Sequence, residues 1–417
     1  MHRLTLHNGL RTVLDPRPSA LVTEIAVHYH VGYRSEPAGR SGFAHLFEHL
    51  MFQGSENVGR SDHHRIVNAS GGVANAATHP DYTEYFQAVP PRALERVLFL
   101  EADRMRGPRL TEESLRTQIE VIKEEIRLNV TNKPYGGFPW PLLPQVLYRE
   151  FANAHDGYGH FADLERATVE EAEDFFAAHY APGNAVLTLT GRFDPERVAA
   201  LVDRHFGDLP ARPGAARPRQ AEPAPETDRH GTHHDPFAPL PAVAVGYRLP
   251  DPEAEQRAYL AHVLLARLLG HRLRRALVDG TGAAASVRTH CGFFGPFQAH
   301  FPDTFGVSVT HRQPHSVEQV LDAVDRELEE LAGRGPDPGH LRQAGARANR
   351  EILRAHDTLL TRVRNAGAYE VLHGRAELVD EFPGLLLTLD SPDISRAAEL
   401  LAGQHRGVLT LVPGGLR

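Results

Sequence analysis

Residues 42–52 place three ionisable side chains inside an otherwise apolar stretch. On a helix, His45 and His49 are four residues apart and share a face, and Glu48 lies on the same side. Two imidazoles at that spacing can bind one zinc ion, and a carboxylate beside them can take a proton from a water molecule at the metal. The alternative is a helix whose histidines only form hydrogen bonds in a core. The pattern favours a zinc site.

A catalytic zinc site needs a third protein ligand and an open position for water. Residues 118–126 predict a helix, because isoleucines recur there at helical spacing. This helix contains two adjacent carboxylates, Glu124 and Glu125, and Glu125 lies 76 positions after His49. From the residues alone, either glutamate can be the third ligand, and both can equally lie on a solvated helix face.

Together these two segments resemble the pitrilysin/insulinase family of zinc peptidases, in which His-x-x-Glu-His is followed at a similar distance by a glutamate ligand. The resemblance implies that His45, His49 and Glu125 bind Zn2+ and that Glu48 is the general base. It also implies an α+β fold of two similar domains, each with a mixed sheet and helices. Many members carry a glutamate seven residues before the third ligand. This chain has Gln118 there, which cannot ionise but can still orient a neighbour.

A glycine-led segment at residues 71–78, followed by an apolar strand at 81–89, also resembles the family. The resemblance implies an edge strand whose free N–H and C=O groups pair with an extended peptide substrate. Ala74 and Ala76 are small enough to let that substrate approach closely, and Asn75 can add a side-chain hydrogen bond. We therefore expect Ala74, Asn75 and Ala76 to contact substrate.

Composition narrows the function classes further. The net charge of −8, without a basic block, argues against nucleic acid as a partner. Cys291 is the only cysteine, so no internal disulfide can form. The N-terminus lacks the apolar core of a signal peptide, and no run of about 18 apolar residues predicts a membrane helix. We expect a cytoplasmic protein that does not enter the membrane.

With 417 residues, the chain is long enough for two domains. We predict a zinc-binding peptidase domain over 1–208, a proline-rich linker over 209–241, and a second, inactive domain over 242–417. The linker contains His230, His233 and His234, and we predict no second metal site there, because such patches seldom supply buried ligands.

The second half departs from the family in one segment. Family members that act as homodimers often present an arginine and a tyrosine to the substrate there, and in the matching register this chain has Val278 and Ala285. Arg274 or Arg275 could substitute, although the register disfavours both.

We therefore predict a zinc endopeptidase that cleaves peptides or unfolded segments in a closed chamber shared with a paralogous subunit carrying the arginine and tyrosine. The alternatives are activity as a homodimer, a non-catalytic subunit of the same fold, and a zinc hydrolase of unrelated fold. Precursor maturation and general peptide turnover remain equally open.

Overall fold

Eleven strands and fifteen α-helices form in the part of the chain that the structure, a computed structural model, describes: residues 1–212 and 221–414. The strands are β1 His2–Thr5, β2 Arg11–Pro16, β3 Thr23–Tyr29, β4 Val73–Thr78, β5 Thr83–Val89, β6 Ala185–Gly191, β7 Arg229–Asp235, β8 Ala242–Arg248, β9 Ala284–Cys291, β10 Thr304–His311 and β11 Gly407–Pro413. The helices are α1 Phe43–Leu50, α2 Asp62–Ala69, α3 Leu94–Arg106, α4 Glu112–Ile126, α5 Leu142–Leu147, α6 Phe151–Ala154, α7 Phe161–Leu164, α8 Val169–His179, α9 Pro195–Phe206, α10 Gln256–Leu273, α11 Val317–Arg334, α12 Pro338–His356, α13 Leu359–His373, α14 Leu378–Leu385 and α15 Ser391–Ala402. Two π-helical turns, Arg127–Thr131 and Arg274–Gly280, extend α4 and α10.

Two mixed sheets repeat one topology. The first has the strand order β1-β2-β6-β3-β5-β4, and the second has the order β7-β11-β8-β10-β9. In the first sheet only β2 and β6 are parallel, and in the second only β7 and β11 are parallel. With β1 set aside, the two sheets share strand order and direction, which confirms the predicted α+β fold of two similar halves. Strands β4 and β9 are equivalent edges in this scheme.

The described residues divide into two compact units that are discontinuous in sequence. The first unit lies within 1–123, 157–219 and 353–380, and the second within 124–156, 220–352 and 381–417. Helix α13 belongs to the first unit because it packs on β3 and β6, and α5 belongs to the second because it packs on β8 and β11. The division therefore differs from the predicted continuous domains in two exchanged segments, 124–156 and 353–380.

Strands β3 and β6 are buried along their whole length, as expected for strands covered on both faces. On the face under α13 lies a buried carboxylate, Glu84, which accepts hydrogen bonds from Arg364 Nε at 2.9 Å and His79 Nε2 at 3.1 Å. His28 Nε2 lies 3.1 Å from its second oxygen. Burial raises the pKa of Glu84. Hydrogen bonds and charge from His28 and His79 lower it by more, so the pKa lies well below its usual range. Glu84 is therefore an ionised anchor for α13.

Part of the predicted linker is a strand, because β7 (Arg229–Asp235) pairs in parallel with β11. The linker prediction over 209–241 is corrected for these seven residues. They contain no proline, and their backbone bonds to β11 are a long-range feature that composition does not reveal. Among the described residues, His230, His233 and His234 join no cluster of metal-ligating side chains. No helix within 1–212 and 221–414 is both long and apolar enough to span a membrane.

Candidate metal centre

Helix α1 begins at Phe43 because the buried carboxylate of Glu36 binds the free backbone N–H groups at its N-terminus. Glu36 Oε2 accepts from Gly42 N at 2.8 Å, and Oε1 accepts from Ala44 N at 2.7 Å. A negative charge at this end of a helix is favourable, because the helix dipole is positive there. The apolar face of α1 packs through Phe47 on the Tyr180 ring, with 4.6 Å between ring centroids. These contacts determine which way the opposite, histidine-bearing face points.

Two glycines allow the backbone to pass close to the start of α1. Gly42 has φ +88° and Gly159 has φ +89°, values that disfavour other residues. A Cβ atom at Gly159 would lie 2.4 Å from Gly42 Cα, closer than non-bonded atoms approach. This contact places Tyr158 beside His45, with 6.0 Å between their ring centroids. His45 is thereby contacted from outside its own helix.

The structure brings His45, His49 and Glu125 together. Their candidate ligand atoms all lie within 4.8 Å of one another. The two rings are nearly perpendicular, at 86°, with 4.9 Å between centroids. Burial, and then the nearby His49, lower the pKa of His45 to about 3. His45 is therefore the neutral imidazole that metal binding requires, and the set of two nitrogens and one carboxylate fits zinc.

The adjacent carboxylate, Glu124, points elsewhere. Its Oε2 pairs with Arg127 Nη1 at 3.2 Å, and its side chain is 57% exposed. Glu124 therefore has the solvated role that the sequence left open for both glutamates, whereas Glu125 joins the histidines. Thr111 caps the start of helix α4, since its Oγ1 accepts from Ser114 N at 3.1 Å.

Gln118 contacts His49, one of the candidate ligands, whereas the sequence indicated only that Gln118 can orient a neighbour. Its Oε1 lies 3.2 Å from His49 Nδ1. An amide oxygen can only accept, so His49 donates from Nδ1 and keeps Nε2 for a metal. Gln118 and Glu125 are seven residues apart on α4, which is about two turns, so both lie on one side of that helix.

Glu48 accepts a hydrogen bond from a residue that was not predicted from the sequence. Thr78 Oγ1 donates to Glu48 Oε2 at 2.5 Å. Thr78 is the last residue of β4, and alternation places Ala74 and Ala76 on its face of the strand. That face is therefore the one towards α1. The only sequence signal for Thr78 was its place at the end of the 71–78 segment.

Strand β4 forms an edge, as the resemblance implied. Among the strands in the described ranges it pairs only with β5, so its other side carries free backbone groups. Asn75 is exposed on the opposite face from Ala74 and Ala76, and its Oδ1 accepts from Ala76 N at 2.9 Å. The substrate contacts of these three residues remain predictions.

Residues 11–135 match the family model described as Insulinase (Peptidase family M16), and residues 166–347 match that of the Peptidase M16 inactive domain. The chain therefore belongs to the pitrilysin/insulinase family, peptidase family M16.

Individual proteins of known sequence or structure are also similar to this chain. The chain is 31% identical over 302 residues to the zinc protease PqqE of Helicobacter pylori, an alignment spanning 69% of this chain and 66% of that protein. It is 24% identical over 436 aligned residues to an uncharacterised zinc protease of Streptomyces coelicolor, spanning 99% of this chain and 90% of the other. The crystal structure of a Helicobacter pylori protease superposes with a TM-score of 0.89 at 25% identity and covers 99% of both chains.

Proposed function

We propose that this chain is a zinc-dependent endopeptidase subunit that cleaves peptides or unfolded segments. The observation that carries the proposal is the convergence of His45, His49 and Glu125 within 4.8 Å, on the face of α1 that also bears Glu48. A subunit that kept only the fold would not need two histidines, an acidic ligand and a base in one place. The zinc protease names of the relatives support the same class of reaction.

His45, His49 and Glu125 would hold the metal. When bound there, zinc supplies a Lewis acid that polarises the scissile carbonyl and lowers the pKa of a water molecule. The hydrogen bond of His49 to Gln118 holds that ring in place before the metal arrives. Pre-oriented ligands lose less conformational freedom on binding, which favours tight binding.

Glu48 moves the proton. It takes a proton from the attacking water and delivers it to the nitrogen of the leaving amine. Thr78 holds Oε2, so we assign Oε1 as the atom that exchanges the proton.

The free edge of β4 is the proposed site for the substrate backbone. An extended peptide that adds to this edge gains main-chain hydrogen bonds, and the methyl groups of Ala74 and Ala76 leave room for it. Recognition of this kind depends little on side-chain sequence, which suits a peptidase with broad substrates. Precursor maturation and peptide turnover are both compatible with it.

The central test replaces the base and the third ligand separately. Glu48→Gln should retain zinc and lose about 10²- to 10⁴-fold in peptidase rate, because only the proton acceptor is removed. Glu125→Gln should lose zinc, while its neighbour Glu124→Gln provides the matched control and should keep both zinc and activity. Zinc content is measured by elemental analysis after gel filtration, and rate with an internally quenched peptide library. Loss of zinc in Glu48→Gln, or full zinc in Glu125→Gln, would refute these assignments.

We also propose that a paralogous subunit completes the active enzyme. Val278 lies in the π-helical turn Arg274–Gly280 and Ala285 is exposed on β9, so neither position offers a guanidinium or a phenol. One such donor to a developing oxyanion is worth about 2.7–4 kcal/mol. The chain alone should bind zinc but cleave slowly, by about 10²- to 10³-fold, and a family member that lacks the zinc motif should restore the rate. Full activity of the isolated monomer or homodimer would contradict this.

A further inference from the structure

The second unit contains two adjoining cavities lined by arginines. They have volumes of about 640 and 760 Å³, within the usual range for ligand sites, and they share Arg267, His271 and Arg347 in their walls. Helices α10 and α12, the turn after α10 and strand β9 form these walls. We call the pair of cavities the arginine groove, and its arginines are Arg267, Arg272, Arg274, Arg275, Arg288 and Arg347.

Only part of this charge is neutralised within the unit. Arg272 pairs with Glu327 at 2.6 Å and with Glu330, and Arg267 pairs with Glu351. Asp337 also lines the first cavity. Among residues 1–212 and 221–414, no carboxylate lies within 4 Å of Arg275, Arg288 or Arg347.

Within the described residues, Arg274 Nη2 donates only to the carbonyl oxygen of Val287, at 3.5 Å. Guanidinium groups gathered around one cavity repel each other, and a bound anion converts that repulsion into attraction.

The remaining walls suit a peptide. Trp140 and Phe293 provide aromatic surface, and Thr289 and Ser308 contribute hydroxyl groups. The two cavities together form an extended site, so a ligand with several separated carboxylates matches it better than a single small anion. A nucleic acid carries a charge on every nucleotide, so the net charge of −8 opposes it more strongly than it opposes a peptide with a few carboxylates.

We propose that the arginine groove binds an acidic segment of a peptide, with two or more Asp or Glu side chains paired to its guanidinium groups. That this peptide is a substrate rests on the proposed peptidase function, whereas its binding does not. The groove would then select acidic chains among the many that β4 can accept through their backbone.

Trp140 is the only tryptophan in the chain and lies in the groove wall, so its fluorescence reports occupancy directly. We would titrate the zinc-loaded Glu48→Gln protein, which does not consume the ligand, with a Glu-rich peptide, its Gln-substituted counterpart and a Lys-rich peptide. The acidic peptide should bind at least about 10-fold more tightly than the other two, and about 0.5 M salt should remove most of that difference.

Charge reversal locates the site. Arg288→Glu and Arg347→Glu should each weaken binding of the acidic peptide by about 10-fold or more. Arg350→Glu is the matched control, because Arg350 is exposed on the same helix as Arg347 but lines neither cavity, and it should bind normally. All three positions are exposed, and an unchanged thermal midpoint would show that folding is intact.

Three outcomes would overturn the proposal: equal binding of the acidic and neutral peptides, equal effects of Arg347→Glu and Arg350→Glu, or binding of inorganic phosphate without any binding of the acidic peptide. If the wild-type chain cleaves no peptide with or without a partner, yet binds the acidic peptide with the preference described, the peptidase proposal is wrong and the binding proposal is supported. If the chain cleaves peptides but binds acidic and neutral ones equally, the peptidase proposal is supported and the proposed binding of acidic peptides is wrong.

Discussion

Gln118→Ala tests whether a residue that does not touch the metal controls its affinity. The change removes the acceptor 3.2 Å from His49 Nδ1, where Gln118 is 7% exposed. A hydrogen bond lost at a buried site costs about 1–3 kcal/mol, because the remaining N–H is left without a partner. That corresponds to roughly 5- to 150-fold in zinc affinity, which overlaps the 10- to 100-fold typical of groups that orient metal ligands.

The assay is competition for zinc with a chelating dye at pH 7, followed by the peptidase rate at saturating zinc. Gln118→Glu should bind zinc at least as tightly as the native chain, because a carboxylate is the stronger acceptor. Arg116→Ala is the control on the exposed side of the same helix and should change nothing. If Gln118→Ala binds zinc within twofold of the native chain, the contact does not support His49 and our account of the centre is wrong.

Three further predictions concern the surroundings of this centre. Thr78→Val should keep zinc but lower kcat by roughly 10- to 150-fold, since Glu48 loses a hydrogen bond worth about 1.5–3 kcal/mol; an unchanged kcat would exclude the bond from catalysis. Gly159→Ala should lower the free energy of unfolding in urea by about 2–5 kcal/mol, because its φ is positive and its methyl group would collide with Gly42; a smaller loss would mean that the backbone yields easily. Glu84→Gln should cost about 3–5 kcal/mol at pH 7. Because the folded pKa of Glu84 is depressed, its contribution is present above about pH 4.5 and is lost as the pH falls, so native and variant stabilities should converge in acid.

The sequence identifies α1 as the candidate metal-binding helix because the chemistry of that site is local. Two candidate ligands and the candidate base lie within five consecutive residues, and a single turn of helix suffices to bring them to one side. Glu125 required the family resemblance as well, because helical periodicity does not by itself distinguish it from Glu124. The structure distinguishes the two glutamates by the side of α4 on which each lies. Glu124 faces solvent beside Arg127.

The supporting contacts are not readable in this way. Thr78 and Glu48 are 30 positions apart, and His49 and Gln118 are 69 apart. Such pairs depend on how a strand and two helices pack, and neither propensity nor spacing reports that packing. The same applies to β7, whose pairing with β11 joins segments from opposite ends of the second half.

Helix α13 has a consequence for how this protein is made. It covers β3 and β6, yet the ribosome completes β6 at Gly191 and α13 only at His373, 182 residues later. At a translation rate of 5–20 residues per second, one face of the first sheet remains without α13 for roughly 10–35 seconds. During that interval the nascent chain exposes apolar strand surface together with Glu84, whose partner Arg364 has not yet been synthesised. A fragment that stops at residue 208 would lack α13, so we expect α1 and the first sheet to reach their native form only in a chain that continues through α13.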